Sequence, residues 1–115
     1  MARIRTIKPS FWGDDAVSRL SWDARLLLIG LISHADDRGR FIASRGSITG
    51  YLFPYEEVAP AKFKRLIEEI GKTGIVEFYE VDGRPLGRFP KWQEHQKINH
   101  PQPSVLPDMA GGAWE

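Results

Sequence analysis

The residues best able to grip an anion gather near the two ends of the chain. Lys91–Ser104, KWQEHQKINHPQPS, carries Lys91, Gln93, His95, Gln96, Lys97, Asn99 and His100 against a single acid, Glu94. Ammonium, amide and imidazole groups are the donors that phosphate oxygens and base edges accept. Met1–Trp12 adds Arg3, Arg5 and Lys8 with no acid, and Arg84 and Arg88 lie just before the C-terminal stretch. The net charge is only +1, because the acids collect elsewhere: Asp14 and Asp15, Asp36 and Asp37, Glu56 and Glu57, Glu77 and Glu80. Basic ends on an acidic middle give one positive face to a near-neutral protein. The plainer reading is that these cations decorate solvated surface, and that the C-terminal stretch is a slack polar tail.

Three further sets of cations and hydroxyls lie inside the chain. In PAKFKRLIEEIGKTG, Lys62, Lys64 and Arg65 fall in the first half of a predicted helix. Lys62 has no acid at i±3 or i±4, so pairing within its own helix does not account for it. Arg65 and Lys64 have Glu69 and Glu68 at i+4, which makes surface ion pairs of a few tenths of a kcal/mol the competing explanation. Ser44, Arg45 and Ser47 open another helix, where free backbone N–H groups and hydroxyls suit a phosphate. Ser44 is equally an ordinary cap there. Arg84, beside the Asp82-Gly83 turn, is placed either to enter a minor groove or simply to sit in solvent.

Other chemistries find little support. There is no cysteine, hence no disulfide, thiol nucleophile or Cys-ligated metal. His95 and His100 with Glu94 or Asn99 suggest a metal site of HNH-nuclease type, but they lie on a proline-flanked exit without a ββα frame to converge them. Asp36-Asp37 reads as a turn, since EF-hand spacing is absent. No phosphate-cradling glycine loop or nucleophile elbow occurs, so no enzyme activity and no cofactor are expected. The longest apolar run, Leu26–Ile29, is far below a membrane span, and no signal peptide precedes the domain. A cytoplasmic protein is the simplest fit.

These residues need elements to position them. The chain's 115 residues make one domain with a modest core. Ser21 is a good N-cap for WDARLLLIGLISHA, apolar around most of its circumference and therefore predicted to be a central, enclosed helix. ADDRGR ends it in an Asx turn in which Gly39 supplies a positive φ. A very short strand at Arg40–Ala43, a helix capped by Ser44 and closed by Pro54, and a helix starting at Pro60 follow. In the last, Phe63, Leu66, Ile67 and Ile70 form one apolar stripe. Ile75–Val81 and Leu86–Phe89 flank Asp82-Gly83, a strong hairpin signal. Pro85, Gly87 and Pro90 suit the returning strand only to a sheet edge. Trp92 is expected to pin the C-terminal stretch to the core, with base stacking as its other role. PSVLPDMAGGAWE reads as linker or frayed terminus. The order is helix, turn, short strand, helix, helix, two-stranded hairpin. It predicts an α+β fold, a small winged helix-turn-helix domain with three main helices and a two-stranded wing. Its predicted parts are a basic arm over 1–12, the domain over 13–92 and a polar then Pro/Gly-rich tail over 93–115.

RTIKPSFW, LLLIGLISHADDRGRF and KWQEHQKINHPQPS occur together in that order. Over Arg3–Ser104 the chain resembles the N-terminal winged-helix domain of phage and prophage replication proteins, the replisome organisers and DnaD-like helicase loaders. The resemblance implies duplex DNA binding at a replication origin and recruitment of a replicative helicase. Helicase-loading members usually continue into a further C-terminal domain, where this chain has a Pro/Gly-rich stretch. Two rivals keep the fold and change its role. One is a module for protein interaction or homodimerisation without nucleic acid, and the other is a phage transcriptional regulator.

Overall fold

The computed structural model describes residues 3–109, and local signals set most of its elements. Asp14 accepts from Val17 N at 3.1 Å and caps a four-residue helix, α1 (Asp15–Ser18). Ser21 Oγ accepts from Ala24 N at 3.2 Å to cap α2 (Trp22–His34). Ser44 does the same for α3 (Arg45–Leu52) through Ser47 N at 3.3 Å. Pro60 starts α4 (Pro60–Gly71), which has no side-chain cap because Ala59 precedes it. A short helix, α5 (Trp92–His95), follows the sheet.

The sheet corrects the expected two-stranded hairpin. It has three antiparallel strands, β1 (Arg40–Ile42), β2 (Glu77–Val81) and β3 (Arg84–Arg88), in the order β1-β3-β2. The returning strand, expected at an edge, is the central one. Its awkward residues are tolerated because of where they fall. Ala43 N donates to Pro85 O at 2.9 Å, but Pro85 has no N–H to return, so β1 pairing ends at Ile42 opposite Leu86. Gly87 lies opposite Phe41 on one side and Phe78 on the other. A Cβ on Gly87 would come 2.3 Å from Phe41 Cζ, so the strand needs glycine where this ring crosses it. Asp82 and Gly83, with φ of 52° and 77°, turn β2 into β3.

The core lies between the helices and one face of the sheet. Ala24, Leu27, Leu28, Leu31 and Ile32 of α2 meet Phe63, Leu66 and Ile70 of α4, Ile48 of α3, and Phe41, Val76 and Phe89. The central helix is not enclosed as expected. Trp22 is 85% exposed and Leu26 58%, on the stripe opposite Ala24, Leu28 and Leu31. Its packed elements cover one side only.

The stretch after Trp92 is also firmer than its composition suggests. Gln96, Ser104 and Leu106 are buried. Ser104 Oγ donates to Asp36 Oδ2 at 2.6 Å, and Tyr79 Oη donates to Pro107 O at 2.7 Å. The expected slack linker is thus corrected as far as Met109, while residues 110–115 of that prediction lie outside the described residues. No helix among the described residues is long and apolar enough to cross a membrane.

Gly87→Ala is expected to destabilise the domain by about 1–3 kcal/mol, because Phe41 must leave its rotamer or the strands must part. Urea unfolding measures this. An unchanged midpoint would show that the ring does not need the space.

Candidate nucleic-acid interface

Between α2 and β1 the chain reverses in a turn built on two acids. Asp36 Oδ1 accepts from Arg38 N at 2.9 Å and Arg40 N at 3.0 Å, the Asx turn its sequence predicts. Gly39, with φ of 79°, also leaves room for Trp92, since a Cβ there would lie 2.7 Å from Trp92 Cγ. Trp92 Nε1 donates to Asp37 O at 3.0 Å and its ring is buried, so the anchoring role holds.

Asp37 ties both chain ends to this turn. Its buried carboxylate lies 3.0 Å from Arg5 Nη2 and 3.3 Å from Arg3 Nε, and accepts from Gln102 N at 3.0 Å. Burial alone would raise its pKa. The Gln102 N–H and the two guanidinium groups outweigh burial and hold the carboxyl below the usual carboxylate range. Arg5 also donates to Ala35 O at 2.8 Å and sits 5.1 Å over the Trp92 ring.

Several predicted contacts on the arms are therefore internal. Arg5 is buried in its ion pair and cannot reach a ligand. Arg3 is shared between Asp37 and the carbonyls of Asn99 and His100, and Lys8 Nζ donates to Glu94 O at 2.8 Å. Gln96 clasps the N-terminal segment with both ends of its amide, accepting from Thr6 N at 2.9 Å and donating to Thr6 O at 2.8 Å. With both groups satisfied, its burial leaves no orphaned polar atom. Lys91, Gln93, His95, Lys97, Asn99 and His100 are all exposed.

On α4, Lys62, which has no acid within reach on its own helix, lies 3.0 Å from Asp23 of α2. Arg65 and Lys64 do not make the i+4 pairs that compete with a ligand for them. Glu69 instead turns onto the start of α2, accepting from Ser21 N at 2.7 Å and Ser21 Oγ at 3.0 Å. Lys64 and Arg65 are exposed and have no ion-pair partner among the described residues, as does Arg84 beside the hairpin turn. Ser44 serves as the cap, Ser47 N is the group it caps, and Arg45 Nη1 donates to Val58 O at 3.2 Å.

The expected single positive face divides in two. α4 is fastened to the first residues of α2 through Asp23 and Ser21, whereas both arms converge on Asp37, past its other end. A helix of 13 residues separates them by roughly 20 Å. Among the described residues, no group of three or more His, Cys, Asp or Glu side chains is placed to hold a metal ion.

Asp37→Ala should cost about 3–5 kcal/mol, because it strands Arg5 inside the protein. Denaturant unfolding measures this. Because folding lowers the Asp37 pKa, its contribution is complete above about pH 4 and is lost as pH falls below that. Asp37→Asn should flatten this part of the stability–pH curve; an unaltered acid limb would refute the role.

No family model matches the chain, and no curated protein or solved structure does either.

Proposed function

We propose that this chain is a winged-helix DNA-binding module of phage replication type, which holds duplex DNA with the exposed face of α4. One observation carries the reading. Lys64 and Arg65 stand without ion-pair partners among the described residues on α4, and Glu69, the acid that would neutralise Arg65, is drawn away to Ser21. The order α2, β1, α3, α4, then a hairpin, is the order of a winged helix and adds support. Glu68 lies toward the C-terminal end of α4, so the helix presents its N-terminal half to phosphates. Lys62 joins them by exchange: its pair with Asp23 is about half exposed and worth no more than about 1 kcal/mol. Arg84 reaches the flanking backbone from the hairpin turn. The biological role is replication initiation, by origin binding or by recruiting a replicative helicase.

Anisotropy on a labelled duplex tests this. With roughly four phosphates neutralised, log affinity should fall against log salt with a slope near −4. Lys64→Glu with Arg65→Glu should weaken binding at least about tenfold while leaving the fold intact. No binding at low salt, or a flat salt response, would overturn the reading.

The exposure of Trp22 and Leu26, four residues apart on α2, favours a second reading, self-association without DNA. In that case light scattering reports a dimer that Trp22→Ser with Leu26→Ser converts to monomer. A wild-type monomer at all concentrations removes it.

A further inference from the structure

We propose that the cleft between the Asp36–Arg40 turn, the end of β3 and the start of α5 is a binding site for a single phosphate group. It is separate from the α4 surface and independent of the reading given to that surface. The cavity, about 290 Å³, is lined by Arg38, Arg40, Arg88 and Lys91, and among the described residues by the carboxylates of Glu94 and Asp108. The size lies at the small end of ligand pockets, which run from about 300 Å³ upward, and so suits a compact anion.

The cleft already holds an oxyanion of its own. Asp108 lies 3.2 Å from Arg40 Nη2 and 2.9 Å from Arg88 Nη1, so the two guanidinium groups converge on one carboxylate. Glu77 takes the other side of Arg88 at 2.8 Å. The remaining charge comes from Arg38 and Lys91, whose side chains have no ion-pair partner among the described residues. Arg38 Nε is moreover buried with no hydrogen-bond partner, an unsatisfied donor on a side chain that lines the cavity. A guanidinium fork matches the spacing of phosphate oxygens, and a lysine adds a point charge. An incoming phosphate is held by Arg38 and Lys91 and shares Arg88 with Asp108.

The full chain, isotopically labelled, is titrated with inorganic phosphate at constant ionic strength while the backbone N–H resonances of the cleft residues Phe89, Gln93 and Glu94 are followed. The site predicts a saturable shift. Arg38→Gln with Lys91→Gln should weaken it about tenfold or more, as expected for losing charge-assisted hydrogen bonds. Asp108→Asn, which removes the resident negative charge, should tighten it. Arg38 is half-buried on the turn and Lys91 exposed before α5, and neither belongs to the apolar core, so their loss leaves the core intact.

A parallel arm uses a short oligonucleotide with and without a 5′-phosphate. Tighter binding of the phosphorylated strand, lost in the Arg38/Lys91 variant, identifies a strand end as the source. Response to inorganic phosphate alone identifies a free small phosphate. A shift that does not saturate, or that survives in the Arg38/Lys91 variant, overturns the site. The Lys64→Glu, Arg65→Glu variant should keep full phosphate binding, so failure of the duplex reading and failure of this site are separately visible.

Discussion

The arrangement of this domain depends on one buried carboxylate meeting two arginines. Removing Asp37, Arg5 and part of Arg3 from water is costly, and their mutual attraction offsets that only with good geometry and further hydrogen bonds. The compensation is partial: Gln102 N–H and the Ala35 carbonyl occupy positions that water would otherwise fill, while Arg5 Nε and Nη1 are buried without a hydrogen-bond partner among the described residues. A well-packed apolar cluster would supply comparable stability, but it would not specify which segments meet. The charges do. They bring Arg3 and Arg5 from one end of the chain and Gln102 from the other onto a single turn, and the Gln96–Thr6 clasp and the Ser104–Asp36 bond hold that register.

Signals that act within about four residues were legible in the sequence. Ser21 and Ser44 cap their helices, Pro60 starts α4, Phe63, Leu66 and Ile70 face inward, and Asp82-Gly83 turns the hairpin. Trp92 was recognisable as an anchor because so polar a stretch offers few other ways to hold on to a core. What escaped depends on neighbours distant in sequence. Asp23 and Lys62 belong to different helices, and Glu69 has a partner at Ser21 that its own helix does not reveal. Gln96 and Arg5 look like surface residues until the backbone and carboxylate that satisfy them are in place. Strand β3 reads as an edge because its proline and glycine are penalised in general, whereas here one falls where pairing stops and the other where a ring needs room. Asp37 carried a faint signal, a second acid directly after an Asx-turn residue, which the turn itself does not require.

The same pairings shape the charged surface. By capping α2 with Glu69, the fold withdraws an acid from the outer face of α4 and leaves Arg65 without it. By burying Arg5 and tying the exposed Arg3 and Lys8 back to the fold, it restrains cations that composition placed on an outstretched arm. Counting charges along a chain this size therefore misjudges its electrostatics, because many of them join segments instead of facing solvent. The fold also fixes the direction of α4 at two points, Asp23 and Ser21, so its outer face is presented at a set angle to the rest of the domain.

The sheet order leaves β2 as an edge strand, with one row of its backbone groups unmatched within the sheet. Such a row is a template for adding a strand from another molecule, and a five-residue EFYEV segment has the aromatic and β-branched character that favours stacking. Glu77 and Glu80 interrupt that character with negative charge, and Pro85 cuts the opposite ladder short. The acids that looked like mere counterweights to the basic ends are also of the kind that blunts such an edge, since charge there disfavours the addition of a further strand.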